Sequence, residues 1–190
     1  MCGRYYLEID EIDLREIISE VERKQQERYE QLTIKLGGEI FPTDIVPVQS
    51  GIGEYQPMQW GFTSFDGKPI INARSETAQI KSMFKEPMLK NRCLIPASGY
   101  FEWQREGKLK TKYQFFVPDQ TLFLAGCYRQ EKNSPIPKFV ILTRDAVNGL
   151  EVIHNRMPVI IPQSHIETWL NDNPDAIAEA ITKLSFDKVS

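Results

Sequence analysis

The middle of this chain is a succession of short apolar runs, each broken by a turn. From residue 44 to residue 162 these runs follow one another, separated by Gly, Pro and Asp residues that are typical of turns. Asp66-Gly67 lies between two of the runs and predicts a hairpin. Stretches with helical periodicity stand towards the two ends. Helices at the ends with strands between them predict an α+β fold whose sheet is curled and largely antiparallel.

Helices are predicted where apolar side chains recur at helical spacing. In residues 10–31 the apolar residues fall at i, i+3, i+4 and i+7 and form one stripe: Leu14, Ile17, Ile18 and Val21. Ser75 is placed to cap a helix that runs to the proline at the end of residues 75–87, and two late helices are predicted at 164–170 and 174–184. The predicted strands are residues 44–50, 55–62, 68–74, 92–104, 112–117, 121–129, 138–144 and 156–162.

Length and composition are those of an ordinary globular protein. The 190 residues predict a single domain over 1–190, and 41% apolar residues are enough for a buried core. No run of about 18 apolar residues predicts a membrane span. The N-terminal stretch is acidic and amphipathic, which is not the pattern of a signal peptide. We therefore expect a monomeric protein of a cytoplasmic, reducing compartment.

The three cysteines do not form a disulfide or zinc pattern. Their number is odd and none belongs to a C-x-x-C pair. Cys93 and Cys127 lie in apolar runs and are expected to be small buried side chains. Cys2 stands directly behind Met1, so removal of Met1 would leave a thiol and a free α-amine on one residue.

The net charge of −3 is a poor match for tight binding to duplex DNA, which relies on many phosphate contacts. The charge is nevertheless uneven. Residues 8–30 contain nine acids and four bases, whereas residues 81–112 contain eight bases and three acids. Such asymmetry is common on solvated faces. It also fits a basic groove at residues 81–112.

Polar residues interrupt the apolar pattern in four stretches, which read "MCGR", "INARSETA", "PASGYFEWQ" and "VIHNRMPVII". Each has an ordinary structural explanation. Glu102 lies between two aromatic residues, where alternation predicts a side chain that points to solvent. His154 is one of only two histidines and has a structural explanation as well as a catalytic one. Trp60 has the apolar bulk of a core residue.

Taken together, these motifs resemble a known family. "MCGRY", "WGF…INARSET", "RCLIPASGYFEW" and "HNRMPVII" follow one another in the order and spacing of the SOS response-associated peptidase (SRAP) family, from Cys2 to about Trp169. The resemblance implies one α+β domain with a β-barrel-like core. It also implies an enzyme of the DNA damage response that binds abasic sites in single-stranded DNA, bonds to them covalently and associates with the nucleoid on damage. No metal and no cofactor is implied.

The resemblance also implies roles for particular residues. Cys2 is the reacting residue, and three further positions match the active site: Asn72, Glu102 and His154. Six positions match residues that contact DNA in the family: Arg4, Pro42, Trp60, Arg74, Thr143 and Arg156. The chain departs from the family pattern at "EIFPT", at "WGFTS" and at "KLSFDKVS", where it ends short of the usual C-terminal strand.

An N-terminal cysteine explains the covalent bond chemically. An amine condenses with the open-chain aldehyde of an abasic sugar to a Schiff base. The thiol of the same residue then adds to that carbon at high effective concentration and closes a thiazolidine ring. Two alternatives stay open at this point. One is a thiol (auto)peptidase with Cys2, His154 and Glu102, and the other is a non-covalent single-stranded DNA-binding module.

Overall fold

The computed structural model describes residues 2–8, 32–171 and 174–189, together with the alternate positions 15, 17, 19, 21 and 23. Those five positions are helical, and Ile17 and Val21 are buried among them, as the predicted apolar stripe requires. Leu14 and Ile18 complete that stripe in the sequence, but they lie outside the described residues.

Fifteen short strands are the main secondary structure of the described residues, and four of them exceed seven residues. In chain order they are β1 (Tyr5–Leu7), β2 (Gly38–Ile40), β3 (Ile45–Gly51), β4 (Glu54–Trp60), β5 (Phe62–Thr63), β6 (Pro69–Ile70), β7 (Asn72–Arg74), β8 (Arg92–Ala97), β9 (Gly99–Glu106), β10 (Leu109–Phe116), β11 (Leu122–Arg129), β12 (Lys138–Asp145), β13 (Arg156–Pro158), β14 (Ile160–Ile161) and β15 (Ser185–Val189). Three α-helices have both ends within the described ranges: α1 (Ser75–Ala78), α2 (Ser82–Lys90) and α3 (Ile166–Asn171). Single turns of 3-10 helix occupy Leu150–Val152 and Gln163–His165, and a longer 3-10 segment occupies Pro174–Glu179.

Five of the strands close into a ring. β12 pairs with β4, β4 with β3, β3 with β8, β8 with β11, and β11 pairs again with β12. All these pairs are antiparallel except that of β12 with β4, and β7 continues the same parallel edge along β12. The predicted α+β class with a curled, largely antiparallel core is confirmed. That the whole chain is one domain stays a prediction.

A second sheet packs against this ring, in the order β15-β10-β9-β1-β2. Its inner face contributes Tyr5, Tyr100 and Phe115 to a core shared with ring residues such as Val48 and Ile95. Aromatic and β-branched side chains suit such half-buried pleated surfaces, because alternate residues point to one face. The four motifs singled out in the sequence meet where this sheet joins the ring.

The strand predictions were right in place but wrong in several boundaries. The hairpin at Asp66-Gly67 exists as β5 and β6, and Gly67 has the positive φ of +79° that such turns favour. Residues 92–104 are two strands rather than one, because the chain turns at Ser98 and passes from the ring into the second sheet. The C-terminal residues form strand β15, which pairs with β10. The sequence predicted that the chain ends before such a strand.

The helix predictions were less accurate. The helix expected over 75–87 is broken into α1 and α2, neither of which has a side-chain cap, and α2 continues past Pro87 to Lys90. The helix expected over 174–184 is a short 3-10 segment. Helices this short depend on tertiary packing rather than on propensity, and Phe84 and Met88 pack α2 onto the ring.

Candidate active site

Cys2 lies inside the protein, at the junction of the ring and the second sheet. The residue has no exposed surface and packs in the core that contains Tyr5 and Trp60. Its Sγ lies 4.0 Å from the carbonyl oxygen of Arg4, a weak hydrogen bond. Burial raises the pKa of the Cys2 thiol, and the carboxylate of Glu102 raises it further. The thiol is therefore neutral near neutral pH.

Asn72 fixes the backbone of Cys2. It is the first residue of β7, which is held against β12 by parallel pairing with Ile141. Its Nδ2 donates a hydrogen bond of 2.9 Å to the carbonyl oxygen of Cys2. The Oδ1 of the same amide is buried and has no hydrogen-bond partner among the described residues. An acceptor is thus available beside Cys2.

Glu102 points into the protein, which reverses the expectation from alternation. Its side chain is 5% exposed and lies on the inner face of β9. Burial raises the pKa of the Glu102 carboxyl, and the nearby His154 opposes that shift. The two groups face one another, with 3.9 Å between His154 Nε2 and Glu102 Oε2. A carboxyl with a raised pKa beside a histidine is suited to moving protons.

The ring of His154 is oriented by the main chain. The backbone N–H of Arg156 donates a hydrogen bond of 3.0 Å to His154 Nδ1. Nδ1 also lies 3.2 Å from the carbonyl oxygen of Arg156, so the main chain holds the ring on this side and Nε2 faces Glu102. The histidine is about one quarter exposed, so it can contact both a ligand from solvent and the buried carboxyl.

Two tyrosines that the sequence motifs did not single out also lie beside Cys2. Tyr5 and Tyr100 are buried, and burial raises the pKa of each phenol, with the Cys2 thiolate form as a further cause. The Tyr5 hydroxyl has no hydrogen-bond partner among the described residues. The only sequence signal was position, because each tyrosine stands within a motif that contains a reactive residue: "MCGRY" and "GYFEW".

The residues expected to contact DNA divide into two groups. Trp60 and Thr143 expose no surface. The Trp60 ring packs 5.4 Å from that of Tyr5, and its Nε1 donates to the carbonyl oxygen of Ile71 at 2.9 Å. In this conformation neither residue presents a face to a base, because both are covered by the core. Their roles as DNA contacts stay predictions.

Arg156 is also largely buried, with 8% of its side chain exposed. Its guanidinium binds both carboxylate oxygens of Glu76, at 2.7 and 2.9 Å, and also Asp145 Oδ1 at 2.6 Å and the carbonyl oxygen of Thr143. The hydrogen bonds from Arg156 lower the pKa of Glu76. This guanidinium joins α1 to β12 and to β13, next to His154.

Arg4, Pro42 and Arg74 are accessible. Arg4 is about 29% exposed and forms an ion pair of 3.2 Å with Glu39. Arg74 is exposed at the N-terminal end of α1, and Pro42 is half-buried in the loop after β2. Of the six predicted DNA contacts, these three have surface that a strand of DNA can reach.

The described residues offer neither a metal centre nor a membrane-spanning helix. Among them, no group of three or more His, Cys, Asp and Glu side chains is placed to hold a metal ion. Within that part of the chain, no helix has the length and apolar character needed to cross a membrane. Cys93 and Cys127 are buried free thiols, as expected.

Known proteins resemble this chain in sequence. The sequence profile of the family described as SOS response associated peptidase (SRAP) matches residues 1–189. The abasic site processing protein YMR114C of Saccharomyces cerevisiae is 30% identical over 200 residues, which cover 89% of this chain and 54% of that protein. The abasic site processing protein YedK of Escherichia coli is 34% identical over 119 residues, which cover 60% of this chain and 54% of YedK. The chain thus spans about half the length of the relatives it matches.

Solved structures share the fold. A protein from Bacteroides thetaiotaomicron superimposes with a TM-score of 0.81 at 25% identity, covering 100% of this chain and 92% of that one. A phage-related protein from Bordetella bronchiseptica gives a TM-score of 0.75 at 21% identity, covering 99% and 94%, and at that identity the likeness shows the fold alone. The family profile spans nearly the whole sequence, and this chain belongs to the SOS response associated peptidase (SRAP) family.

Proposed function

We propose that this protein recognises abasic sites in single-stranded DNA and traps them as a covalent thiazolidine on Cys2, which shields the lesion. The observation that carries the proposal is convergence. Asn72, Glu102 and His154 come from β7, β9 and the turn before β13, yet the first bonds Cys2 and the other two pair with one another beside it. Two relatives described as abasic site processing proteins support the choice of lesion.

The proposed reaction begins with the free α-amine of Cys2, which requires removal of Met1, a residue outside the described part of the chain. The amine adds to the aldehyde carbon of the open sugar, and water leaves to give a C=N bond. The thiol then adds across that bond. Sulfur bonds to the carbon and the thiol proton ends on nitrogen, so a five-membered ring closes without any other reactant.

The neighbouring residues have distinct proposed roles. Asn72 holds the Cys2 carbonyl and so directs the amine. Glu102 accepts a proton from the Cys2 ammonium group and so frees the amine to attack. Its pKa is raised towards neutral pH, which suits it to this transfer. His154 acts in its imidazolium form: Nε2 gives its proton to the departing hydroxyl group and leaves a neutral ring, which the backbone of Arg156 holds at Nδ1.

The surface residues have proposed roles in binding. Arg4, Pro42 and Arg74 are proposed to contact the DNA backbone or bases around the lesion, since all three are accessible. Trp60, Thr143 and Arg156 are proposed to support that surface from beneath, because they are buried in the free protein. A cytoplasmic, nucleoid-associated monomer stays our expectation for the working form.

Intact mass spectrometry tests the proposal. Protein that has lost Met1 is mixed with single-stranded DNA that contains one abasic site, and we expect a mass increase equal to the oligonucleotide less one water. Undamaged DNA of the same sequence is expected to give no adduct, and Cys2→Ser is expected to give no ring of this kind. A fully active preparation that still carries Met1, or an acetylated Cys2, would contradict the proposal because no amine would be free.

A thiol peptidase with Cys2, His154 and Glu102 is the alternative activity. Such an enzyme attacks as a thiolate, and burial raises the pKa of Cys2, which disfavours the thiolate. Cleavage of peptides in the absence of DNA by wild-type protein but not by Cys2→Ala would favour it. Undiminished protection of abasic DNA by Cys2→Ala would instead favour a non-covalent module.

A further inference from the structure

A cavity of about 200 Å³ lies beside α2, where this helix faces the 3-10 segment that begins at Pro174. We call it the α2 cavity and define it by the described residues that line it: Gln79, Lys85, Met88, Leu89, Arg92 and Pro174. Three of these six are apolar, two are cations, one is an amide and none is an acid. Pockets for drug-sized ligands span about 300–1,000 Å³, so this smaller space suits a single amino-acid residue.

Helical spacing brings a cation and two apolar side chains of α2 to one side of the cavity. Lys85, Met88 and Leu89 stand at i, i+3 and i+4 in Ser82–Lys90, so they are neighbours on the helix surface. Met88 is buried against the ring, whereas Leu89 is 70% exposed and stands at the mouth of the cavity. The cavity therefore has an apolar wall that solvent reaches, with the flexible Lys85 ammonium group next to it.

Arg92 gives the α2 cavity a fixed positive charge. It is the first residue of β8 and is only 7% exposed. Its Nε donates a hydrogen bond of 2.7 Å to the carbonyl oxygen of Trp169, and its Nη1 donates one of 2.9 Å to that of Met88. These bonds hold the guanidinium between α3 and the last turn of α2. A cation fixed in this way suits a carboxylate, because little side-chain entropy is lost on binding.

The surroundings of the α2 cavity are basic as well. Glu86 is the single acid in residues 79–92, which contain four bases: Lys81, Lys85, Lys90 and Arg92. Glu86 is paired with Lys90 at 3.0 Å, and no ion pair among the described residues involves Lys81 or Lys85. This segment begins the basic stretch noted in the sequence at 81–112. The charge around the cavity therefore favours an anionic ligand.

We propose that the α2 cavity binds the C-terminus of a partner polypeptide that ends in an apolar residue preceded by acidic residues. The terminal carboxylate binds Lys85 and Arg92, and the last side chain packs on Met88 and Leu89. The acidic residues before it face Lys81, which lies one turn before Lys85. A peptide terminus fits this site because it presents one carboxylate and one apolar side chain within the space of a single residue. The site contains none of the residues that surround Cys2, so the proposal does not depend on the proposed reaction.

The test is fluorescence anisotropy with the full chain and a fluorescein-labelled peptide in which several aspartates precede a C-terminal leucine. We expect saturable binding of this peptide. The same peptide with a C-terminal amide is expected to bind about tenfold more weakly, because the charge-assisted hydrogen bonds to the carboxylate are lost. A peptide that ends in glycine is also expected to bind about tenfold more weakly, because no apolar side chain is buried.

Two variants of exposed residues test the lining of the cavity. Lys85→Gln is expected to weaken binding of the free-acid peptide by about fivefold and to change binding of the amidated peptide little. Leu89→Ser is expected to weaken binding of both peptides, because it removes part of the apolar wall. Both side chains are exposed, and thermal melting checks that the variants fold.

Matched controls lie outside the cavity. Lys90→Gln changes the cation of the same helix that pairs with Glu86, and Ile52→Ser changes an exposed apolar residue between β3 and β4. Neither control is expected to alter the affinity for either peptide. Lys85→Gln is also expected to form the adduct with abasic DNA at the rate of the wild-type protein.

Several results would overturn the proposal. One is equal affinity of the wild-type protein for the free-acid and amidated peptides, and another is equal affinity of Lys85→Gln and Lys90→Gln for the free-acid peptide. If the peptide fails to bind, while undamaged single-stranded DNA or phosphatidylserine vesicles bind Lys85→Gln more weakly than Lys90→Gln, the cavity belongs to a nucleic acid or a lipid surface instead. If the peptide binds as expected but wild-type protein forms no adduct with abasic DNA, the role of the cavity stands and the proposed reaction is overturned.

Discussion

At the scale of single residues, Glu102 is the side chain whose environment differs most from what its neighbours in the sequence predict. It lies between two aromatic residues and yet is turned into the protein, facing His154. An ionised carboxylate is costly in apolar surroundings, so burial raises its pKa. The raised pKa affects stability as well as reactivity, because the folded protein binds this proton more tightly than the unfolded chain does.

A dependence of stability on pH is expected from Glu102. The ordinary pKa of glutamate is 4.5, and that of Glu102 in the folded protein is higher. As pH rises above this ordinary value, the unfolded chain releases the proton before the folded protein does, so the free energy of unfolding falls. Glu102→Gln has no ionisable carboxyl at this position, so its free energy of unfolding is expected to fall less as pH rises. Thermal melts of both proteins between about pH 4 and pH 7 measure the difference.

The difference in melting temperature, variant minus wild type, is expected to grow as pH rises through this range. A constant difference would mean that Glu102 has the same pKa in the folded and unfolded chain. The resemblance to the family selected Cys2 and its three candidate partners, and their roles stay proposals. Their burial could not be predicted, because it depends on which face of each strand meets the core.

At the scale of elements, Arg156 connects three pieces of structure near the site. Its guanidinium binds Glu76 in α1 and Asp145 at the end of β12, and its backbone orients His154 before β13. A helix of four residues has almost no stability of its own. The position of α1 therefore depends on this ion pair, whereas Asn72 in the preceding strand is also held by the pairing of β7 with β12.

Two glutamates, one in each of the helices α1 and α2, are expected to differ in their contribution to stability. Glu76→Gln is expected to lower the free energy of unfolding by about 1 kcal/mol, because it removes a charge from a largely buried guanidinium while Asp145 remains. Glu86→Gln removes a carboxylate of the exposed i, i+4 pair with Lys90, and its effect is expected to stay below about 0.5 kcal/mol. Chemical denaturation of both variants gives the comparison. Equal effects would show that Arg156 does not depend on Glu76.

Helices and strands with a strong local sequence signal were predicted more accurately than those whose position depends on packing. Asp66-Gly67 specifies a turn by itself, and the hairpin is present. The helix expected over 75–87 depended on a serine cap and a terminating proline, but Ser75 makes no cap bond and Pro87 lies inside α2. Packing of α2 on the ring overrides both local signals.

At the scale of the whole molecule, closure of the ring places the site. β12 is the strand that closes it, and it also carries the parallel edge on which β7 and Asn72 lie. Gly126 of β11 lies opposite both Ile141 of β12 and Cys93 of β8. A Cβ at Gly126 would lie 2.6 Å from the carbonyl oxygen of Val140 and 2.7 Å from Ile95 Cδ1. Close approach of the strands requires glycine there.

A methyl group at Gly126 is expected to weaken the closure of the ring. Gly126→Ala is expected to lower the free energy of unfolding by about 1–3 kcal/mol, because backbone atoms must move apart to admit the methyl group. Gly51→Ala is the matched control, since a Cβ there meets only the flexible side chain of Glu54. Denaturant unfolding measures both. If Gly126→Ala were as stable as Gly51→Ala, the strands around Gly126 would have room for a methyl group.

The sequence by itself determined the class of the fold, the approximate place of most strands and the candidate residues for the chemistry, because turn residues, apolar alternation and motifs are local properties. Only the tertiary structure decided which strands share a sheet, that Glu102 faces inward beside His154, and that Trp60 and Arg156 are buried while Arg4 and Arg74 are accessible. The physical reason is that burial and strand pairing depend on contacts between residues far apart in the chain. Such contacts leave no periodic signal in either partner's own sequence.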